Sequence, residues 1–442
     1  MELLQYIPGF GNLAFTLFTF VVALLVIVAV HEFGHYIVGR FSGIDADVFS
    51  LGFGPVLVSR TDRRGTCWQI AAIPLGGYVR FRGDGDAASV TTDLSGLTDE
   101  QARRSMHLAP LWARAATVSA GPIFNFILSI LVFFALIMAR GVATEPLTIA
   151  EIPPLPFEHE LRAGDEIVAI AGLETPELSG FSAFANQLPV EAMLDYDVLR
   201  DGATLSVAGV HPYPAIVSGV APDSASAAAG LKVGDVILSA DGREIAAFTD
   251  LQAIVAAAEG SPLQLEIWRD GTIIGQELTP RRTDLPIGDG GFETRWLIGI
   301  NGGLWFTPET AAPSVGEGLT YGLNQTWFIA KYSISGLYHM VTGQISSCNI
   351  QGPIGIAQTS STVASQGLFA FIGFIALLST AVGLMNLFPI PVLDGGHLIL
   401  HGWEALTGSP PGDTAMRILM TAGLAMIITL MFFALSNDVF CP

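Results

Sequence analysis

The sequence predicts a polytopic α-helical membrane protein with four transmembrane helices, a membrane-reentrant β hairpin and two extramembrane α+β domains. Three observations carry that prediction. Hydrophobic residues make up 51% of the 442-residue chain and charged residues only 14%, against about a quarter charged in an ordinary soluble domain. Four stretches are apolar and long enough to span roughly 30 Å of hydrocarbon. Between the second and third of them, an acidic region repeats itself.

The first span runs from Asn12 to Val30 within a segment 1–38. It lacks a basic leader and a small-residue cleavage site, so it reads as a retained helix rather than a signal peptide. The others are Ala115–Met138 within 115–140, Gly367–Phe388 within 367–396, and Ile418–Leu435 within 418–442. Nine of the 20 basic residues, all Arg, fall between Arg40 and Arg114, whereas 141–295 hold 24 Asp/Glu against 8 Lys/Arg. The positive-inside rule then places the loops 39–114 and 397–417 in the cytoplasm, and the acidic region and both termini outside. No basic stripe exists beyond the first loop, so nothing points to nucleic acid.

Within 39–114, the apolar runs Val48–Ser59 and Trp68–Phe81 are joined by Thr61-Asp62-Arg63-Arg64-Gly65, a hairpin signal. The pair is too apolar for a cytoplasmic loop and carries Gly52-Phe53-Gly54 and Gly76-Gly77. A sheet dipping into the membrane is the expected form, with protein or a water-filled cavity sheltering its edge.

Residues 143–283 contain two similar halves of about 70 residues. Leu161-Arg162-Ala163-Gly164-Asp165 is answered by Leu231-Lys232-Val233-Gly234-Asp235, and Arg200-Asp201-Gly202 by Arg269-Asp270-Gly271. The pattern resembles tandem PDZ domains, at 141–213 and 214–283, more closely in the second half (Ser224–Ile245) than in the first. A linker, 284–366, follows. Its stretch Ser314–Ile345 is amphipathic and reads either as a helix at the membrane interface or as an ordinary connector.

The chemistry resides in Val30-His31-Glu32-Phe33-Gly34-His35-Tyr36. On a helix, residues four apart share a face, so His31 and His35 can bind one zinc ion, with Glu32 beside them as a general base. Ionisable residues at the end of a spanning helix each cost roughly 2.5–3.5 kcal/mol near the bilayer centre, which argues against unpartnered placement. Two imidazoles leave zinc short of a ligand. Asn386-Leu387-Phe388-Pro389-Ile390-Pro391-Val392-Leu393-Asp394-Gly395-Gly396-His397 closes the third span and offers Asp394. Its prolines interrupt the helix and its glycines permit close backbone approach. By the predicted topology, both spans end near the cytoplasmic face.

Taken together, H-E-F-G-H in the first span, L-D-G after the third and PDZ-like repeats between spans two and three resemble the site-2 protease family of zinc metalloproteases. The likeness extends over nearly the whole chain. It includes Gly121-Pro122-Ile123-Phe124-Asn125-Phe126 and Gln351-Gly352-Pro353-Ile354-Gly355. The resemblance implies one zinc ion per chain, held by His31, His35 and Asp394, with Glu32 as catalytic base. It further implies that Asn386 helps hold substrate, although an Asn bonding its local backbone at a helix break is the other reading. His397 stays outside the ligand set.

The implied substrates are single-pass membrane proteins in regulated intramembrane proteolysis. These are anti-sigma factors after a first cut and signal-peptide remnants, handled in the bacterial inner membrane with the repeats in the periplasm. A substrate helix must unwind before attack, and the strand around Gly52–Leu57 is assigned as the exposed edge that holds it by strand addition. The chief competing reading is a catalytically inactive membrane PDZ scaffold, which would gain nothing from keeping Glu32. A metalloprotease of soluble type and a metal transporter fit less well. Of the three cysteines, Cys348 and Cys441 fall on the outer side, where a disulfide and two free thiols are both compatible with the sequence.

Overall fold

The computed structural model describes residues 10–85, 97–288 and 291–441. The start of the first expected segment, 86–96 of the Arg-rich loop, the tip at 289–290 and Pro442 lie outside them. The helices are α1 (Phe10–Phe41), α2 (Asp99–Arg103), α3 (Leu111–Arg140), α4 (Leu178–Ala185), α5 (Ala225–Ala228) and α6 (Phe248–Ala257). They continue with α7 (Val315–Val341), α8 (Pro353–Ser365), α9 (Leu368–Asn386), α10 (Asp394–Thr407) and α11 (Asp413–Phe440). Four of them contain stretches long and apolar enough to cross a membrane: Leu13–Phe41, Leu111–Arg140, Leu368–Asn386 and Thr414–Phe440. Two compact units emerge, Met1–Ala135 with Leu319–Tyr338 and Ser347–Pro442, and Leu136–Gly318 with His339–Ser346.

In the first unit, α1 packs on α9 through Ala23, Ile27 and Ile375. Apolar burial separates helices poorly from lipid, so hydroxyl groups add direction. Ser379 Oγ donates to the Asn125 carbonyl at 2.9 Å, and Thr380 Oγ1 to Ser129 Oγ at 2.7 Å, tying α9 to α3. Pro122 sits inside α3 and leaves the Val118 carbonyl without its helical donor. At the other end, Cys348 and Cys441 form a disulfide. Beside it the Asp438 carboxylate accepts from the Gly352 and Ile354 N–H groups, at 2.7 and 3.0 Å, which caps α8.

The hairpin is a folded-over sheet. Ala46–Leu51 pairs on one side with Gly77–Phe81 and on the other with Cys67–Ile70, which in turn pairs with Val58–Thr61. Gly52 and Gly54, at φ +90° and +83°, form the bend between the two limbs of the first strand. A Cβ on Gly52 would meet the Ala71 and Ile73 carbonyls. Gly52 and Gly54 turn the chain, the limb beyond them pairs on one side only, and the limb that lines the cavity with His31 and Glu32 is Gly77–Phe81. Register, which sequence alone leaves open, decides this. Phe53, Val56, Leu57, Val58, Ile70, Ile73 and Leu75 are exposed apolar side chains of this sheet.

The second unit contains the two repeats with one topology. Strand orders are 173–174, 166–170, 193–200, 203–210 in the first and 243–244, 236–240, 263–269, 272–278 in the second, with α4 and α6 inserted alike. The repeated Gly-Asp and Arg-Asp-Gly motifs now have a physical reason. Arg200 Nε donates to Asp165 and Arg269 Nε to Asp235, each at 2.6 Å onto a carboxylate side chain only 1% exposed. Each carboxylate also accepts a backbone N–H, from Arg162 and Lys232 respectively, at 2.8 Å. Asp201-Gly202 and Asp270-Gly271 have positive φ throughout, the two-residue hairpin turn their sequence favours.

Two expected boundaries are corrected. The segment after 283 is no mere linker. Arg281–Pro286 pairs with Phe292–Leu297, Ile300 then pairs with Val220, Thr307 with Glu151, and Thr310 with Ala143. Ile298 joins the second repeat's core, while Trp305 and Phe306, 1% and 3% exposed, join the first's. The second repeat is thus inserted into the first. Likewise 397–417, expected as a loop, contains most of α10; the Pro389–Gly396 breaks stop one helix and start the next.

Candidate metal centre

Glu32 and the two histidines lie in α1, where helical spacing puts His31 and His35 on one face. Asp394 arrives from another direction. α9 ends at Asn386, the chain bends through Pro389 and Pro391, and α10 restarts with Asp394 in its first turn. The turn is so tight that a Cβ on Gly395 would strike the Leu387 and Phe388 carbonyls, and one on Gly396 the Ile390 carbonyl. These glycines let α10 fold back beside the end of α9.

The result is a triangle of donor atoms. His31 Nε2 lies 3.1 Å from His35 Nε2. Asp394 Oδ2 is 3.2 Å from the former and 3.5 Å from the latter. Tetrahedral coordination with metal–nitrogen bonds of about 2.0–2.1 Å requires donors about 3.3–3.4 Å apart. The triangle therefore fits a zinc-sized ion, and Asp394 Oδ2 is buried with no hydrogen-bond donor of its own. The three side chains are 10%, 12% and 18% exposed.

α3 contributes no donor to the triangle yet holds both rings. His35 Nδ1 lies 2.9 Å from the Thr117 carbonyl, and His31 Nδ1 lies 3.1 Å from the Asn125 amide. Gly121 faces both imidazoles, and a Cβ there would overlap them. Among these, Asn125 and Gly121 stood in a quoted motif without a role, and Thr117 acts through its backbone, which carries no sequence signature.

Glu32 lines the same cavity, of about 510 Å³, next to Gly77, Tyr78 and Val79 of the hairpin limb. His397, His401, Glu404 and Arg114 also line it. Arg114 donates to both Glu404 oxygens at 3.0 and 2.6 Å, which holds that carboxyl below its usual range. Burial, with Arg114 nearby, pushes the His401 imidazole down to about 4, and burial lowers His397 as well. Both imidazoles are therefore neutral at pH 7. Asn386 does not join the triangle; its Nδ2 donates to the Val382 carbonyl of its own helix at 3.1 Å.

The chain matches the family described as Peptidase family M50 over residues 19–430. It is 37% identical over 434 residues to "Putative zinc metalloprotease R01501" of Rhizobium meliloti, covering 97% of each chain. It is 32% identical over 465 residues to "Regulator of sigma-E protease RseP" of Salmonella typhimurium, covering 97% of this chain and 99% of that one.

Proposed function

Because the chain belongs to peptidase family M50 and is a zinc metalloprotease of the site-2 type, we propose that it cleaves peptide bonds within the membrane-spanning segments of other proteins. The observation that carries this reading is the convergence of His31 and His35, within the apolar span Leu13–Phe41, with Asp394, just beyond the apolar span Leu368–Asn386, their donor atoms all within 4.8 Å. In this reading these three residues hold one zinc ion. Bound there, zinc would supply Lewis acidity, able to acidify water and draw electrons from a carbonyl.

The chain's own residues do the rest. Glu32, beside the triangle, takes the proton of the attacking water and returns it to the leaving amine. The limb Gly77–Phe81 borders Glu32 and pairs with Ala46–Leu51 on one side, so its other edge suits an unwound substrate segment added as a strand. The exposed apolar side chains of the hairpin suit immersion in lipid, which supports the reentrant reading. Neutral His397 and His401 with the Arg114–Glu404 pair give the cavity a polar wall able to keep water near the site.

The two repeats we read as PDZ domains, periplasmic in a multi-pass inner-membrane protein, that select substrates already trimmed by another protease. The relative named a regulator of sigma-E protease supports anti-sigma factors as one substrate class. Signal-peptide remnants, single-pass segments of similar chemistry, form the other.

Metal analysis and cleavage of a single-pass reporter test the proposal together. Wild type is expected to copurify with zinc and cut the reporter. Asp394→Ala should lose both, and Glu32→Gln should keep zinc and lose cleavage. Full cleavage by Glu32→Gln would refute Glu32 as the base, and a wild type that binds no zinc and cuts nothing would favour a scaffold.

A further inference from the structure

We infer that Asn125 is a positioning residue for the metal centre, acting through His31, with its side-chain oxygen rather than its nitrogen turned to the imidazole. The inference rests on the metalloprotease reading above and extends it to the helix that carries none of the three donors.

The argument starts at His35, whose partner is unambiguous. A backbone carbonyl only accepts, so the contact between His35 Nδ1 and the Thr117 carbonyl at 2.9 Å puts the ring proton on Nδ1. His35 Nε2 is then bare and faces His31 Nε2 and Asp394 Oδ2. His31 presents the same atom to the same point, with Nε2 at 3.2 Å from Asp394 Oδ2. To serve as a donor there it needs the same tautomer, with its proton on Nδ1, and Nδ1 then needs an acceptor.

The only group placed for this among the described contacts is the Asn125 amide, 3.1 Å away. Drawn with Nδ2 toward the ring, it sets a donor against an N–H and leaves Oδ1 buried without a hydrogen bond. The two ends of an amide fill the same space, and the hydrogen-bonding partner decides between them. With Oδ1 toward His31, the N–H finds its acceptor. Asn125 is fully buried, and its backbone carbonyl is held by Ser379 of α9. Its side chain therefore has a fixed origin from which to aim. α3 thus orients both rings, by a backbone carbonyl at Thr117 and a side-chain oxygen two helical turns on at Asn125.

The test is zinc affinity of the purified full-length protein in detergent, stripped and then titrated with Zn²⁺ against a chromophoric chelator. Asn125→Leu keeps the volume and removes the acceptor; its Kd should rise about 10–100-fold, the usual effect of removing such a partner. Asn125→Asp keeps an acceptor oxygen and should bind zinc at least as tightly as wild type. Equal losses in both variants, or undiminished affinity in Asn125→Leu, would overturn the inference. Should Asn125→Leu not fold, Asn125→Asp decides alone, since weakened binding contradicts an acceptor role. Asp394→Ala is the reference. If wild type binds no better than Asp394→Ala, the metal reading itself fails; if it does, the Asn125 variants judge this inference separately.

Discussion

Replacing Gly121 with Ala should cripple the metal centre while leaving the fold in place. A Cβ at this position would fall on the His35 and His31 rings. Neither ring can step aside freely, because His35 Nδ1 is held by the Thr117 carbonyl and His31 Nδ1 by Asn125. Making room means lengthening those bonds and pulling the Nε2 atoms away from Asp394. Overpacking a tight site by one methyl costs about 1–3 kcal/mol. Carried wholly by the zinc-competent arrangement, that is about 5–150-fold in Kd. Zinc titration of the detergent-solubilised variant is the assay, with hydrogen exchange across α1 and α3 reporting the fold. Gly402→Ala is the control, since its Cβ meets nothing within 4 Å. Wild-type zinc affinity in Gly121→Ala would refute the crowding argument and the ring placement behind it.

Other consequences can be measured on the same preparation. Arg200→Leu strands the Asp165 carboxylate, 1% exposed, and should destabilise the first repeat by about 3–5 kcal/mol, read as faster exchange in 166–210. Acid should act similarly. Burial opposes ionisation of Asp165, but the bonds from Arg200 and the Arg162 N–H outweigh it and hold its pKa below the usual value. The stabilisation is therefore complete above about pH 4 and lost as pH falls through the native pKa; exchange in the first repeat that does not quicken there would count against it. Cys348→Ser with Cys441→Ser opens a loop of 93 residues, worth at most about 4–5 kcal/mol by chain entropy. Exchange should quicken first at the end of α11, around Asn437 and Asp438.

The sequence was most legible where one physical rule acts locally. Apolar length marked the four candidate spans, because lipid demands it over each whole segment. His31 and His35 announced themselves by helical spacing, and the Pro389–Gly396 run marked a broken helix that brings Asp394 close. The Asp165–Arg200 and Asp235–Arg269 pairs left their trace as a repeat before their contact was known. What stayed hidden depends on distant pairing. Two-residue strands such as Ile300–Asn301 and Thr307–Pro308 have no periodicity to detect. The bend at Gly52 and Gly54 was visible as glycine, but whether it made an edge or a corner hinged on register. α10 was obscured by the very prolines and glycines that position its first residue.

The insertion of one repeat within the other limits how this protein can be taken apart. The main chain leaves the first small body, builds the second, and comes back with Trp305 and Phe306 to close the one it left. Neither is a detachable cassette. Excision at 214–283 would take Ile216 and Val236 out of the first body's core and leave its returning strand hanging from an unfolded tether. A cut that respects the architecture removes 142–311 as a piece, and any natural shuffling of these modules would have had to move them as a pair.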